Sequence, residues 1–161
     1  MAYINPSPGV AGAQVTLTLH HTSKVADATG LVLPALQDIT LNNANDVFTW
    51  TQLDSGSKQQ VATTATNSLS MNLVLDPTTF FPGASPTTTA ASQGVFGLSK
   101  NKTKVEFYLV MGDDSAGTNT KTISGFAYVT GLAPTVSADA PVWVSPITLT
   151  VTGDYTVATT A

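Results

Sequence analysis

Apolar residues recur at every second position through much of this chain. In AQVTLTLHH, Val15, Leu17 and Leu19 fall on one side and Thr16, Thr18 and His20 on the other. That is the period of a half-buried strand. SLSMNLVLD repeats it with Leu69, Met71, Leu73 and Leu75 before Pro77 ends the run. TKVEFYLVMG points Val105, Phe107, Leu109 and Met111 inward and Lys104, Glu106 and Tyr108 outward. KTISGFAYVTGL predicts the returning strand, with Gly125 marking a bulge or a close approach. VWVSPITLTVTGDYTV sets Ile147, Leu149 and Val151 against Thr148, Thr150 and Thr152, and Pro146 predicts a bend or an edge at its start. DITLNN reads as a short strand and DVFTWTQLDSG as a longer one, with Phe48, Trp50 and Gln52 on one face.

Other segments interrupt the alternation. Residues 1–12 carry two prolines and two glycines and read as an extended arm. TSKVADATGLVLPALQ reads as a structured loop, because Gly30 and Pro34 break any long helix. GSKQQVATTATNSLS is polar and loop-like at its start. The segment 86–100 predicts a helix with Ser85 as N-cap, Pro86 at its first position and Lys100 near its end. GDDSAGTNT reads as a tight turn between antiparallel strands. The sum is a mostly-β domain over 13–157, seven or eight strands in a β-sandwich or partly closed barrel with one flanking helix. Residues 158–161 follow as a tail.

Composition narrows what such a domain does. Charged residues are 10% of the 161-residue chain, against about 25% in ordinary soluble domains. All six basic residues are lysines, and the formal charge is −4. Without arginine the chain lacks the usual bidentate reader of bases and phosphates. Tight static binding of nucleic acid is therefore not expected, though a surface that nucleic acid slides past is compatible with like-charge repulsion. No cysteine is present, which excludes thiol catalysis and cysteine-held zinc. No apolar run approaches the ~20 residues of a spanning helix, and the N-terminus lacks a secretory signal pattern. The many neutral Thr, Ser and Asn side chains suit surfaces covered by neighbours, and equally suit a lightly charged monomer.

Candidate chemistry is sparse. His20 and His21 are adjacent, so on a strand they point to opposite faces and cannot share a metal. They read as surface histidines at a strand end. Asp113 and Asp114 sit beside Gly112 at a hairpin tip, where aspartate serves turn geometry. Lys100, Lys102 and Lys104 form a basic stripe if that stretch is extended, continued by Glu106. The stripe reads either as an ion-pair contact with a neighbouring subunit or as a solvated helix end and strand start. Trp50 and Trp143 are expected in a core or an interface, with sugar stacking as the alternative. No phosphate-binding or nucleophile-elbow pattern occurs. No catalytic, cofactor-binding or metal-binding residues are expected, and no enzyme activity.

The C-terminal third, Ile123 to Leu132, then Ser137-Ala138-Asp139-Ala140, then Ile147 to Gly153, resembles the closing hairpin of the major tail tube proteins of long-tailed bacteriophages. The resemblance covers about Pro86 to Val157, and the first half matches in element order only. It implies a non-enzymatic virion protein that forms hexameric rings, stacked into a tube through which double-stranded DNA is ejected. Implied partners are further copies of the chain and other tail proteins such as the tape measure and terminator, with no membrane. The implied location is the virion tail, assembled in the host cytoplasm. Residues 1–12, the loop Thr22–Gln37 and the tail after Asp154 are the candidate ring-to-ring connectors. Two alternatives stand beside this: a capsid decoration or fibre-type virion domain, and a carbohydrate-binding β-sandwich using Trp50 or Trp143.

Overall fold

The computed structural model describes residues 15–33, 36–54, 56–112, 120–139 and 142–160. The expected arm at 1–12 and the Asp113–Asp114 turn lie outside them.

Among the described residues seven strands form one antiparallel sheet: β1 (Val15–His21), β2 (Leu31–Val32), β3 (Leu36–Thr51), β4 (Lys58–Val74), β5 (Lys104–Met111), β6 (Thr120–Leu132) and β7 (Val144–Thr160). Their spatial order is β2-β1-β5-β6-β7-β4-β3. The sheet is not closed, so β2 and β3 are its two edges. Two helices, α1 (Pro77–Phe80) and α2 (Ala90–Lys100), stand between β4 and β5 in the chain. The mostly-β expectation with a flanking helix therefore holds, in the form of a single open sheet.

Alternation dictates the core. Leu17 pairs with Leu109 and Leu109 with Ile123. Leu41 pairs with Leu69, Leu69 with Leu149, and Leu149 with Val129. These rows stack on one face and join Phe80, Val95 and Leu98 of the helices in one buried cluster. Burying a large aliphatic or aromatic side chain contributes roughly 1.5–3 kcal/mol, so this face holds the domain together. At Gly125 the chain makes the expected close approach. A Cβ there would sit 3.1 Å from that of Tyr155 and 3.2 Å from the Phe107 ring. The β6–β7 register slips at the next residue, which is the bulge.

Several boundaries differ from the sequence expectation. The helix of 86–100 begins at Ala90, with Thr89 as N-cap in place of Ser85. Ser92 is the reason: its hydroxyl donates to the Thr87 carbonyl (3.1 Å) and accepts from the Thr87 N–H (2.9 Å), holding 87–89 as a turn. The helix is also broken at Gly94, where φ is +62°. A Cβ there would lie 2.6 Å from the Phe80 carbonyl oxygen, so α1 approaches α2 through backbone and only glycine fits. A second, one-turn helix, α1, takes Pro77 at its first position and Asp76 as N-cap.

The two strands expected at DITLNN and DVFTWTQLDSG are one, β3, of 16 residues. The polar stretch from Lys58 is not loop but the first half of the 17-residue β4. At the C-terminus, Ala158, Thr159 and Thr160 are not a tail. They pair with Thr122, Lys121 and Thr120 as the end of β7.

Candidate assembly surface

The strands β3 and β4 are joined by a short connection and pair along nearly their whole length, from Leu36↔Leu73 to Thr51↔Lys58. Only the proximal half of β4 has another neighbour: β7 pairs with Ser68 to Val74 and goes no further. Among the described residues the distal half is a two-stranded arm with no sheet beside it. Its side chains are exposed on both faces, Val47 by 54%, Phe48 by 59% and Val61 by 48%. Phe48 and Trp50 stack on each other with centroids 5.9 Å apart and planes at 25°. An isolated two-stranded ribbon is marginal in water, and exposed apolar side chains on it mark a contact surface.

The outer edge of β3 is the second feature. Edge strands expose a row of unpaired N–H and C=O groups, and proteins usually blunt them with charge, proline or shortness. Here the edge runs 16 residues without proline or lysine, its charges limited to Asp38 and Asp46 and its register slipping twice, beside each of these acids. The opposite edge is blunted: β2 has two residues, and the loop before it folds over β1.

That loop is fixed by a side chain that the sequence reading did not single out. The Asp27 carboxylate accepts from the backbone N–H groups of His21 (3.0 Å), Gly30 (3.2 Å) and Ala90 (2.7 Å), tying β1, the loop and the start of α2 together. Burial raises the pKa of Asp27, but these three hydrogen bonds and the nearby His20 lower it further, so the net direction is down. The pattern Asp-Ala-Thr-Gly was the available signal, since an aspartate capping its own turn three residues on is ordinary turn chemistry. His20 is not a surface residue. It is 4% exposed, and its Nδ1–H donates to the Asp27 carbonyl at 2.6 Å. His21 takes the other face, as expected, with its ring nitrogen 3.0 Å from the Thr22 hydroxyl. No group of three or more metal-ligating side chains occurs among the described residues.

The lysine stripe does not form. Lys100 ends α2, Lys102 takes a left-handed turn at φ +52°, and only Lys104 is in a strand. Lys104 Nζ lies 4.6 Å from the centre of the Phe126 ring. Glu106 faces its own molecule, accepting from the Lys24 N–H at 2.6 Å and the Tyr108 hydroxyl at 2.7 Å. Burial and this carboxylate raise the pKa of Tyr108. Trp50 and Trp143 are not in the core. They are 38% and 44% exposed, Trp50 on the arm and Trp143 just before β7, where its carbonyl accepts from the Leu75 N–H. No helix among the described residues is long and apolar enough to cross a membrane.

The face of the sheet opposite the core is built differently at its two ends. On β5 it carries Lys104 and Glu106, with Lys24 of the β1–β2 loop set against Glu106 and Tyr108. Across β3, β4 and β7 it carries hydroxyls and amides in facing pairs: Thr40 with Ser70, Ser70 with Thr148, Asn42 with Ser68, Ser68 with Thr150.

No family model and no curated protein matches the chain. Solved structures do. The chain is similar to the SPP1 tail tube, with a TM-score of 0.67 and 13% identity over 93% of this chain and 79% of that one. It is similar to a chain in the tail of an empty gene transfer agent particle with C6 symmetry, with a TM-score of 0.64 and 13% identity over 95% of this chain and 100% of that one. It also matches a chain in the sheath–tube complex of an extracellular contractile injection system, with a TM-score of 0.56 and 13% identity over 93% and 91%. One open antiparallel sheet, a projecting two-stranded arm and helices packed on its core face: this chain has the tail-tube fold.

Proposed function

We propose that the chain is the structural subunit of a virion tail tube, assembling into six-membered rings that stack around a channel for DNA ejection. The carrying observation is the open edge of β3 together with the bare arm beyond it. Both are costly in a solitary chain and satisfied when a neighbouring copy adds its own strand. The likeness to tube proteins supports the reading, and the C6 symmetry of the gene transfer agent tail supports six as the ring number. Other copies of the chain are the main partners, with tail terminator and tape-measure proteins at the ends and in the bore. The protein acts in the virion tail after assembly in the host cytoplasm, and it performs no catalysis.

Negative-stain microscopy of the purified protein tests this. Rings or tubes with a central hole are expected, and Phe48→Ser combined with Trp50→Ser should abolish them while leaving the subunit folded. Compact monomers or trimers at high concentration would refute it in favour of a decoration or fibre domain. The exposed indoles of Trp50 and Trp143 keep carbohydrate binding as a second reading. Glycan-array binding lost on Trp→Ala substitution would favour that one.

A further inference from the structure

The β4–β7 ladder stops while both of its strands go on. It runs from Val74↔Val144 to Ser68↔Thr150. Past that pair, among the described residues, β4 continues to Lys58 beside β3 alone and β7 continues to Thr160 beside β6 alone. Two bare edges therefore leave one point, residues 58–67 and 151–160, each roughly 33 Å long at about 3.3 Å per residue. Asn67 stands at the fork. It is 5% exposed, and its Oδ1 is buried with no hydrogen-bond partner among the described residues, whereas every β4 residue from Gln60 to Thr66 is exposed. An unpaired buried amide costs stability, and this one marks the place where β4 loses its neighbour.

The two edges match each other. Continuing the register of Ser68↔Thr150 sets Val61 against Val157 and Lys58 against Thr160, so the two runs end together. Both valines are exposed, and directly opposed β-branched side chains stabilise a strand pair. Val-Ala-Thr-Thr occurs on both edges, at 61–64 and 157–160. Neither run contains proline, and their charges are limited to Lys58 and Asp154, so little blunts them against pairing. A bend separates them. Thr152 pairs with Phe126 and Tyr155 with Gly125, which leaves Gly153, at φ +79°, and Asp154 as a bulge in β7. Bulges bend the strand that carries them, and this one lies just past the last β4–β7 pair.

We propose that the ladder broken at Ser68–Thr150 is completed between copies: residues 58–67 of one subunit pair antiparallel with 151–160 of a second copy, at the register the two strands share inside each chain. The arm is then an exchanged element. The proposal rests on the tube reading and adds to it which two strands meet. Exchange is a low-cost route to association, because an identical element takes the same place in another copy. Each copy offers an arm at one place and a bare β7 edge at another, so the contact is heterologous, the kind that closes rings. A strand added to β7 beyond Thr150 lies on the line that β4 leaves at Asn67. It brings backbone donors to the side of the sheet where the orphan oxygen lacks one.

The native chain has no cysteine, so introduced ones report alone. Ala62→Cys and Thr156→Cys, both at exposed sites, fall opposite each other in the continued register. Directly opposed Cβ atoms lie about 4.5–5.5 Å apart, within a small shift of disulfide geometry. The two single variants, mixed, assembled and oxidised, should give a disulfide-linked pair of chains that neither variant gives alone. A link between two Ala62→Cys chains would mean that arm pairs with arm. A link within one chain carrying both cysteines, in assembled tubes, would mean that the arm lies on its own β7. Either result overturns the proposal, as does the absence of any link in tubes that form normally. Should the variants not assemble, hydrogen exchange on the wild-type chain decides. Amides of 151–160 that point away from β6 should exchange rapidly in unassembled subunits and become protected in tubes, together with 58–67. Protection already present in subunits would mean that the same chain covers this edge, and rapid exchange persisting in tubes would mean that nothing does; both refute the pairing. Failure of the wild-type chain to form any ring or tube refutes the tube reading itself, which is a separate result.

Discussion

Asp27 is nearly buried, yet it spends its charge on three backbone N–H groups from three different elements. Hydrogen bonds to charged groups contribute roughly 1.5–3 kcal/mol each, so the residue decides whether the loop of 22–30 stays on the domain. Its pKa is lowered from an ordinary value of 3.8. A carboxyl with a depressed folded-state pKa contributes its stability above the unfolded value and loses it as pH falls through the folded one. His20, His21, Lys24, Glu106 and Tyr108 surround the same loop, and of these His20 adds to the depression. Asp27→Asn should therefore lower stability by about 2 kcal/mol at neutral pH, and the gap to wild type should close in acid. Urea unfolding of the unassembled subunit at several pH values checks this; a gap independent of pH would show that the charge is idle. Gly94 makes a different demand. With φ at +62° and a carbonyl 2.6 Å from where a Cβ would stand, Gly94→Ala should cost at least about 1–3 kcal/mol. Gly56→Ala, at a site with open space around it, should change thermal unfolding little. In the sequence Gly94 is only a poor helix former inside a helical segment, because nothing local announces that another backbone will lie against it.

At the scale of elements, legibility followed burial. Strands β1, β5, β6 and the middle of β7 have one dry face and one wet face, and the alternation reports it directly. The distal halves of β3 and β4 have no dry face within the chain. From Lys58 to Thr66 the sequence KQQVATTAT is read as loop because neither face of this ribbon is covered among the described residues, so no alternation marks it. The same cause hid the continuation of β7 to Thr160, where Val157 is 60% exposed. The candidate surface was thus misread for the reason that makes it a candidate. A prediction follows for the arm. In unassembled protein, amides of 44–51 and 58–66 should exchange with solvent much faster than those of β5 and β6, since few buried contacts hold them. On assembly they should become protected. Equal protection in both states, measured by hydrogen exchange, would mean that the arm contacts nothing. Leu149→Ala, by contrast, should cost about 2–5 kcal/mol in the unassembled subunit, because that side chain is fully buried at the meeting of β4, β6 and β7.

For the whole molecule the sparseness of charge becomes a statement about forces between copies. A contact made by backbone ladders, hydroxyls and the Phe48–Trp50 pair contains few ion pairs for salt to screen. Each copy meanwhile brings a net charge of −4, and stacking many copies accumulates it. Long-range repulsion between like-charged copies opposes assembly at low ionic strength and is largely screened once the Debye length falls to about 10 Å near 0.1 M salt or 3 Å at 1 M. Hydrophobic contacts are not weakened by that change. The sign is then fixed: the amount of sedimentable tube should stay level or rise as sodium chloride increases through this range. An assembly cemented by lysine–carboxylate pairs would respond in the opposite sense, dissolving as its attractions are screened. Sedimentation of wild-type protein across a salt series distinguishes the two. Dissolution at high salt would mean that the six lysines hold copies together, and that the neutral ladder and aromatic arm are not the principal joints.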